Sequence, residues 1–414
     1  MHEGVLNDKS LPWYLVAGIC FLVFLILFIA SAILYGFTSN GRNQLENLYL
    51  FYFGKPEDFE KRWRYSLFLD RVGGRNIIAD SVREVNPTNL LKAVRKGAYI
   101  NAYNNFGNTA LHVATENGYP ELVEILIKHG ADRSYLNVQN RTAEQMIPMD
   151  NQESRRGKID EFEKIEEIYR KYRNRKFRLR VPEKFPVSSF HVFVDERIDV
   201  SIADEYTLKF QSITADSLSL QLTHYVVKTS DNGLLETDDI NLLVWIFNGV
   251  IIVKDTWIVE CLKNAKMVEQ DCDFLVKEVK YKGNVYDSVI HWSNAMAKGA
   301  IPYLYGVHVV VVMKKCANLA TIASIVANHG GIMLDTLPDK ENYNENSHPY
   351  LHNHLGPIFV IHDGTIDVDI YKNDPDKMFT VLTEEQFISF MLKRSINVNT
   401  SQSPIPILIS DRDD

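Results

Sequence analysis

Two short clusters in the C-terminal half contain residue types that hold metals. SHPYLHNH places His348, His352 and His354 close together, and HDGTIDVD does the same for Asp363, Asp367 and Asp369. Imidazoles of the first set suit zinc and carboxylates of the second suit calcium, but neither repeats a known ligand spacing, so both read as loop residues between strands. Cys20, Cys261, Cys272 and Cys316 are too scattered for a Cys-x-x-Cys zinc pair or a disulfide framework, and a reducing compartment is the simpler reading. The sequence contains no glycine-rich phosphate loop, no G-x-S-x-G elbow and no H-E-x-x-H helix. No catalytic residue, cofactor or metal is expected, and the chain reads as a non-enzyme.

A third constellation is FHVFVDERI, residues 190–198, an apolar strand that ends in Asp195 and Glu196 with Arg197 behind them. What such a strand mouth binds depends on the domain it opens. That domain is defined by the elements around it.

A repeat comes first. Gly97-Ala98-Tyr99-Ile100-Asn101 recurs as Gly130-Ala131-Asp132-Arg133-Ser134, and Asn108-Thr109-Ala110 recurs as Arg141-Thr142-Ala143, both at a spacing of 33. That period, with GNTALHVATENGYPELVEILIKHGAD between the marks, resembles the ankyrin repeat: Thr109 caps a first helix, Leu122, Val123 and Leu126 face a neighbour, and Gly130 ends the second helix. His112 of the T-x-L-H element is structural in that family. The stack needs caps at its ends. LYLFYF (Leu48 to Phe53) and the segment around Trp63 and Phe68 are the expected N-terminal cap.

Residues 151–185 carry Ile159, Phe162, Ile165, Ile168, Tyr169 and Tyr172 at helical spacing, which predicts a helix closing the stack. YRKYRNRKFRLR follows, with seven basic residues in twelve. Such a run suits nucleic acid, anionic headgroups or an import receptor, and is more often a solvated helix face.

From Pro186 onward, short apolar strands alternate with amphipathic helices twice over, which implies parallel sheets with helices on their faces. GVIIVKDTWIVECLKNAKM resembles the last strand and helix of the BRCT domain, with Trp257 as the hallmark tryptophan, Phe387 in the matching place of a second copy, and Gly330-Gly331 at its turn. The helix holding Leu242 to Phe247 is apolar on every side, which suits burial between its own sheet and the second copy. Over residues 75–396 the order of modules is similar to the C-terminal part of the family of RING-bearing partners of the breast-cancer-susceptibility protein. No Cys/His ladder of RING spacing occurs in the sequence, so the ubiquitin-ligase activity of that family is not implied.

The resemblance implies a phosphoserine cradle made of Ser or Thr and Gly at the end of the first strand and Lys on the helix before the last strand. Those positions fall on Asp195, Glu196 and Asn241. Two carboxylates facing a group of about −2 charge repel it, so the pocket is expected to be degenerate and to prefer a basic peptide. Residues 186–414 hold 31 acidic and 18 basic residues, a net of −13, which argues against DNA as a partner.

Trp13 to Phe37 has no charged residue, and as a helix would reach roughly 37 Å, enough for a hydrocarbon core of about 30 Å. Lys9 precedes it, whereas Arg42, Lys55, Lys61, Arg62 and Arg64 follow. The positive-inside bias then faces the modules to the cytosol or nucleoplasm.

The expected fold is multidomain: a single transmembrane helix, an all-α ankyrin stack and two α/β BRCT-like domains with parallel four-stranded sheets. Its expected order is a tail (1–12), the transmembrane helix (13–37), a juxtamembrane segment and cap (38–74), ankyrin repeats (75–150) and a charged helix with basic linker (151–185). A first BRCT-like domain (186–278), a linker (279–300), a second BRCT-like domain (301–398) and an acidic tail (399–414) complete it. The expected function is a membrane-anchored scaffold or adaptor for protein partners, with a nuclear or nuclear-envelope DNA-damage-response adaptor as the alternative.

Overall fold

The computed structural model describes residues 39–54, 77–175, 177, 179, 181, 185–219, 221–268, 273–313, 316–336 and 349–396. Two compact units, residues 1–59 and 60–414, are taken one at a time.

In the first unit, helix α1 spans Ser39–Phe53. Its Leu45, Leu48, Tyr49, Tyr52 and Phe53 are exposed. LYLFYF, expected as a cap, forms the end of this helix, with Leu50 buried and Tyr49, Tyr52 and Phe53 exposed; Trp63 and Phe68 lie outside the described residues. The expected transmembrane helix over 13–37 also lies outside them, and among the described residues no helix is long and apolar enough to cross a membrane. With 15 residues and both Arg42 and Glu46, α1 rises only about 22 Å. The membrane-spanning element is thus removed from the fold class, and the single-pass localisation and orientation derived from it are withdrawn. An uncharged run satisfies a length rule without specifying what surrounds it.

The second unit begins with a stack of helix pairs, α2 (Ile77–Arg83) with α3 (Pro87–Lys96) and α4 (Ala110–Glu116) with α5 (Pro120–Lys128). Proline at the first position of α3 and α5 is pre-set for helix entry and gives up only an N–H that has no helical partner there. Ile78, Val82, Leu90, Leu111, Leu122, Val123 and Leu126 form the core. His112 locks the entry to α4: its Nδ1 accepts from Thr109 Oγ1 at 2.7 Å, and its Nε2 donates to the carbonyl of Arg141 at 3.0 Å.

The third repeat has only a 3-10 turn, Glu144–Met146. After the short α6 (Glu153–Arg156), α7 (Ile159–Tyr172) lies on α5 and closes the stack, burying Phe162, Ile165, Tyr169 and Tyr172. Tyr172 donates to Glu124 of α5 at 2.6 Å, and the Tyr169 and Thr115 hydroxyls meet at 2.8 Å.

The first α/β domain comprises β1 (Val192–Val194), α8 (Val200–Lys209), β2 (His224–Val227), β3 (Leu235–Glu236), α9 (Ile240–Phe247), β4 (Ile251–Lys254) and α10 (Asp255–Lys263). Its sheet has the order β1-β2-β4, all parallel. Three strands stand where four were expected, because the outer position is reduced to a single bridge, Val192 to Thr214. Trp257 on α10 is fully buried and donates Nε1–H to the carbonyl of Val268 at 3.1 Å.

Residues 279–300, expected as a linker, are structured. β5 (Val279–Tyr281) and β6 (Asn284–Tyr286) form a hairpin that joins β3 in a third sheet, and α11 (Val289–Ala297) packs on α9. Lys282 and Gly283 both have positive φ, 47° and 84°, as a two-residue mirror-image turn requires.

The second α/β domain comprises β7 (His308–Val312), α12 (Leu319–Asn328), β8 (Ile332–Leu334), β9 (Ile358–His362), α13 (Asp369–Lys372), β10 (Phe379–Thr383) and α14 (Glu384–Lys393). Its sheet, β10-β9-β7-β8, is parallel throughout and four-stranded. Phe387 on α14 is fully buried, in the place Trp257 holds on α10. Helix α9 lies between the two domains: Leu242, Leu243, Ile246 and Phe247 share one core with Tyr225 of its own sheet and with Ile322, Ile325 and Val326 of α12. From Leu242 to Phe247 this helix is apolar on every side and has no face it can leave in water, so both domains must cover it.

Candidate binding site at the mouth of the first α/β sheet

Asp195 directly follows strand β1, and its N–H still donates to the carbonyl of Val226 at 3.0 Å. The chain then turns, and Arg197 folds back onto Asp195. Oδ1 accepts from Arg197 N and Nε, both at 2.9 Å, and Oδ2 accepts from Nη2 at 2.7 Å. Tyr225 adds a longer bond at 3.4 Å. Asp195 is only 6% exposed. Burial alone would raise its pKa, but the hydrogen bonds and charge of Arg197 outweigh it and hold the carboxyl below the usual range. It is a satisfied, internally neutralised carboxylate.

Beside this pair lies an open recess of about 470 Å³, lined by Arg197, Glu236, Thr237, Asp238, Asp239, Lys280, Lys282 and Gly283. Its far wall is the β5–β6 hairpin. Lys280 Nζ reaches Glu236 at 3.3 Å, and Lys282 donates to Asp238 through both its backbone N at 3.0 Å and its Nζ at 3.2 Å. Hydrogen bonds from Lys282 depress the Asp238 pKa, the backbone one most. These ion pairs are half in water and each contributes little to stability. What they fix is the distribution of charge around the opening.

Of the residues singled out by sequence, Asp195 is buried against Arg197 and Glu196 is exposed. Asn241 is turned to the other domain, its Oδ1 accepting from Thr321 Oγ1 at 3.1 Å. None of the three lines the recess itself. Asp239 accepts from the N–H of Asn241 at 2.9 Å, capping α9. Sequence reasoning missed Lys280 and Lys282; the alternation V-K-Y-K-G-N-V-Y around a Lys-Gly turn is the signal that marks the hairpin.

The metal candidates do not converge. His352 is buried, donates Nε2–H to the carbonyl of Tyr303 at 2.9 Å and packs against Phe390. Burial pushes its pKa down to about 4. His354 is exposed, and His348 lies outside the described residues. Asp363 caps its own turn by accepting from Thr365, and Asp367 accepts from the N–H of Asp369. Among the described residues no group of three or more metal-ligating side chains gathers.

Residues 80–153 match the ankyrin-repeat family in three copies, and residues 180–262 match the BRCA1 C Terminus (BRCT) domain. The chain carries ankyrin repeats and a BRCT domain. Both are protein-interaction modules, generally non-enzymatic. The chain is 62% identical over 379 residues to "Ankyrin repeat-containing protein F37A4.4" of Caenorhabditis elegans, covering 92% of this chain and 33% of that protein. It is 25% identical over 316 residues to "BRCA1-associated RING domain protein 1" of the same organism, covering 73% of this chain and 42% of that protein. The chain thus spans less than half the length of either relative.

Among solved structures, it is similar to the S. pombe Brc1 BRCT5-BRCT6 domains (TM-score 0.34, 17% identity, 51% of this chain and 95% of that one). It is also similar to Rad4 BRCT1,2 in complex with a Crb2 phosphopeptide (TM-score 0.18, 14% identity, 51% and 96%). The second α/β domain repeats the BRCT order of elements: β7, α12, β9, β10 and α14 stand for β1, α8, β2, β4 and α10, and β8 replaces the bridge at Thr214.

Proposed function

We propose that this chain is a non-enzymatic adaptor of the DNA-damage response that holds protein partners through its ankyrin and tandem BRCT-like modules. The 25% identical relative, whose name records an association with BRCA1, supports this over a membrane scaffold. The net charge of −13 over residues 186–414 speaks for protein rather than DNA as what these domains hold. Within this reading the mouth at Asp195, Glu196 and Asn241 does not take phosphoserine. One observation carries that part: the guanidinium that stands nearest the mouth, Arg197, is bound by Asp195 at 2.7 Å and is not free to meet a phosphate.

The recess lining balances three carboxylates (Glu236, Asp238, Asp239) against three cations (Arg197, Lys280, Lys282), and only the flanking Asp195 and exposed Glu196 tip the mouth to a net −2, a charge that suits a basic peptide better than a phosphate. Calorimetry on the purified chain with a phosphoserine peptide and its unphosphorylated twin tests the site. Equal affinity is expected, and clear preference for the phosphorylated form overturns it. Co-purification from cells before and after DNA damage tests the adaptor reading separately; a partner set free of genome-maintenance proteins in both states overturns that.

A further inference from the structure

The loops that link the ankyrin helices are not left in solvent. Loop residues Tyr103 and Thr109 form one bridge and Leu136 and Thr142 form its equivalent in the next repeat. The Tyr103 and Tyr135 rings stack with centroids 6.0 Å apart, the Tyr99 and Tyr135 hydroxyls meet at 3.1 Å, and Tyr103 Oη donates to the carbonyl of Leu136 at 2.9 Å. Tyr103 and Tyr135 also belong to the same buried apolar cluster as Ile301, Tyr303 and Leu304, the residues that lead into β7. A loop-tip tyrosine normally keeps its hydroxyl in water; here burial raises the pKa of both.

The closest approach is backbone to backbone. Tyr103 N–H donates to the carbonyl of Gly299 at 2.8 Å. Gly299 has φ +55°, and a Cβ there would stand 2.5 Å from the Cβ of Ala102. Only glycine fits both the turn that ends α11 and the approach of the ankyrin loop. A second tie runs beside it: Arg133, in the neighbouring loop, donates to the carbonyls of Tyr172, Arg173 and Arg175 at 2.6 to 3.2 Å, holding the chain where it leaves the ankyrin stack. At Tyr172, Arg173 and Arg175 the exit segment is thereby fastened to the repeat it leaves.

We propose that the ankyrin loop surface around Ala102, Tyr103 and Tyr135 is a docking surface whose occupant is this chain's own segment 299–303, so that the ankyrin stack and the tandem BRCT unit fold and unfold as one body. This is independent of which partners the modules bind. Partners then meet two modules at fixed mutual orientation, and reach the ankyrin stack from faces other than these loops.

Hydrogen exchange and calorimetry on the full chain test it. In the unaltered protein, one calorimetric transition is expected for residues 77–396, with the Tyr103 amide protected to the level of the β9 amides. Two transitions together with free exchange at Tyr103 overturn the proposal without any variant. Gly299→Val, and independently Ala102→Arg from the ankyrin side, should speed exchange at Tyr103 at least 100-fold and split the transition, while amides within α4 and β9 stay protected. A Tyr103 amide unchanged in both variants, with one transition retained, also overturns it.

Discussion

The indole of Trp257 stacks on the imidazole of His224, ring centroids 5.4 Å apart and planes 16° from parallel. The pair joins α10 to the middle strand of the first BRCT sheet, and the Phe190 ring also packs on the histidine, with centroids 4.6 Å apart. Trp257→Ala removes the largest side chain of that core and leaves the Val268 carbonyl without its donor. A loss of about 3 to 5 kcal/mol is expected. Denaturant titration followed by near-ultraviolet dichroism checks it, and a midpoint within error of the parent would contradict the packing described.

The phosphate mouth can be rebuilt by changing what neutralises Arg197. Asp195→Ser frees the guanidinium, Glu196→Gly removes a second negative charge, and Asn241→Lys adds a cation at the position the BRCT resemblance assigns to it. Asp195→Ser alone should already raise affinity for a phosphoserine peptide measurably, and the triple variant should raise it further, each recovered charge-assisted bond adding about 1.5 to 3 kcal/mol at most. Isothermal titration with phosphorylated and plain peptides reads the difference. A triple variant as indifferent to phosphate as the parent, with its fold intact, counts against this assignment of the mouth.

Acid should destabilise the core of the second BRCT-like domain. His329 is fully buried beside Trp292, Phe247 and Arg394, and burial, then the Arg394 charge, pushes its pKa down to about 3. His352 sits at about 4. Both fall below the unfolded value of about 6.5, so the unfolded state binds protons first. Stability from these groups is whole above about pH 6.5 and declines as pH falls towards 4 and 3, by roughly 2 kcal/mol per histidine at pH 5. Melting temperatures from pH 7.5 to 5 should drop, and the drop should be smaller in His329→Phe. An equal pH slope in parent and variant would show that His329 is not the titrating group.

Gly283→Ala isolates a backbone effect. The residue holds φ 84° in the β5–β6 turn, and a Cβ there meets nothing within 4 Å. The cost is conformational only, about 1 kcal/mol. Chemical denaturation should register that shift with the slope unchanged; a loss above about 3 kcal/mol would mean the hairpin does more than wall the recess.

The ankyrin period was legible because each repeat spends fixed residues on its turns, and Trp257, Phe387 and the apolar run of α9 were legible because burial leaves composition little freedom. The β5–β6 hairpin was not, since two three-residue strands give alternation too short to stand out until β3 is there to pair with it. At the mouth, Asp195 and Asn241 were pointed to by alignment with the BRCT resemblance. Their partners, Arg197 two residues on and Thr321 in another domain, depend on a tight turn and on tertiary contact that no spacing encodes.

Helix α9 has a consequence for inheritance. Because Ile322, Ile325 and Val326 complete its cover, a premature stop codon between the end of α10 at Lys263 and the start of α12 at Leu319 would leave Leu242, Leu243, Ile246 and Phe247 facing water in a chain that still contains the whole first BRCT domain. Such an apolar face invites chaperone capture and degradation. Nonsense alleles in that interval should therefore behave like complete losses of the tandem, and a truncated product retaining half of its binding capacity should not accumulate.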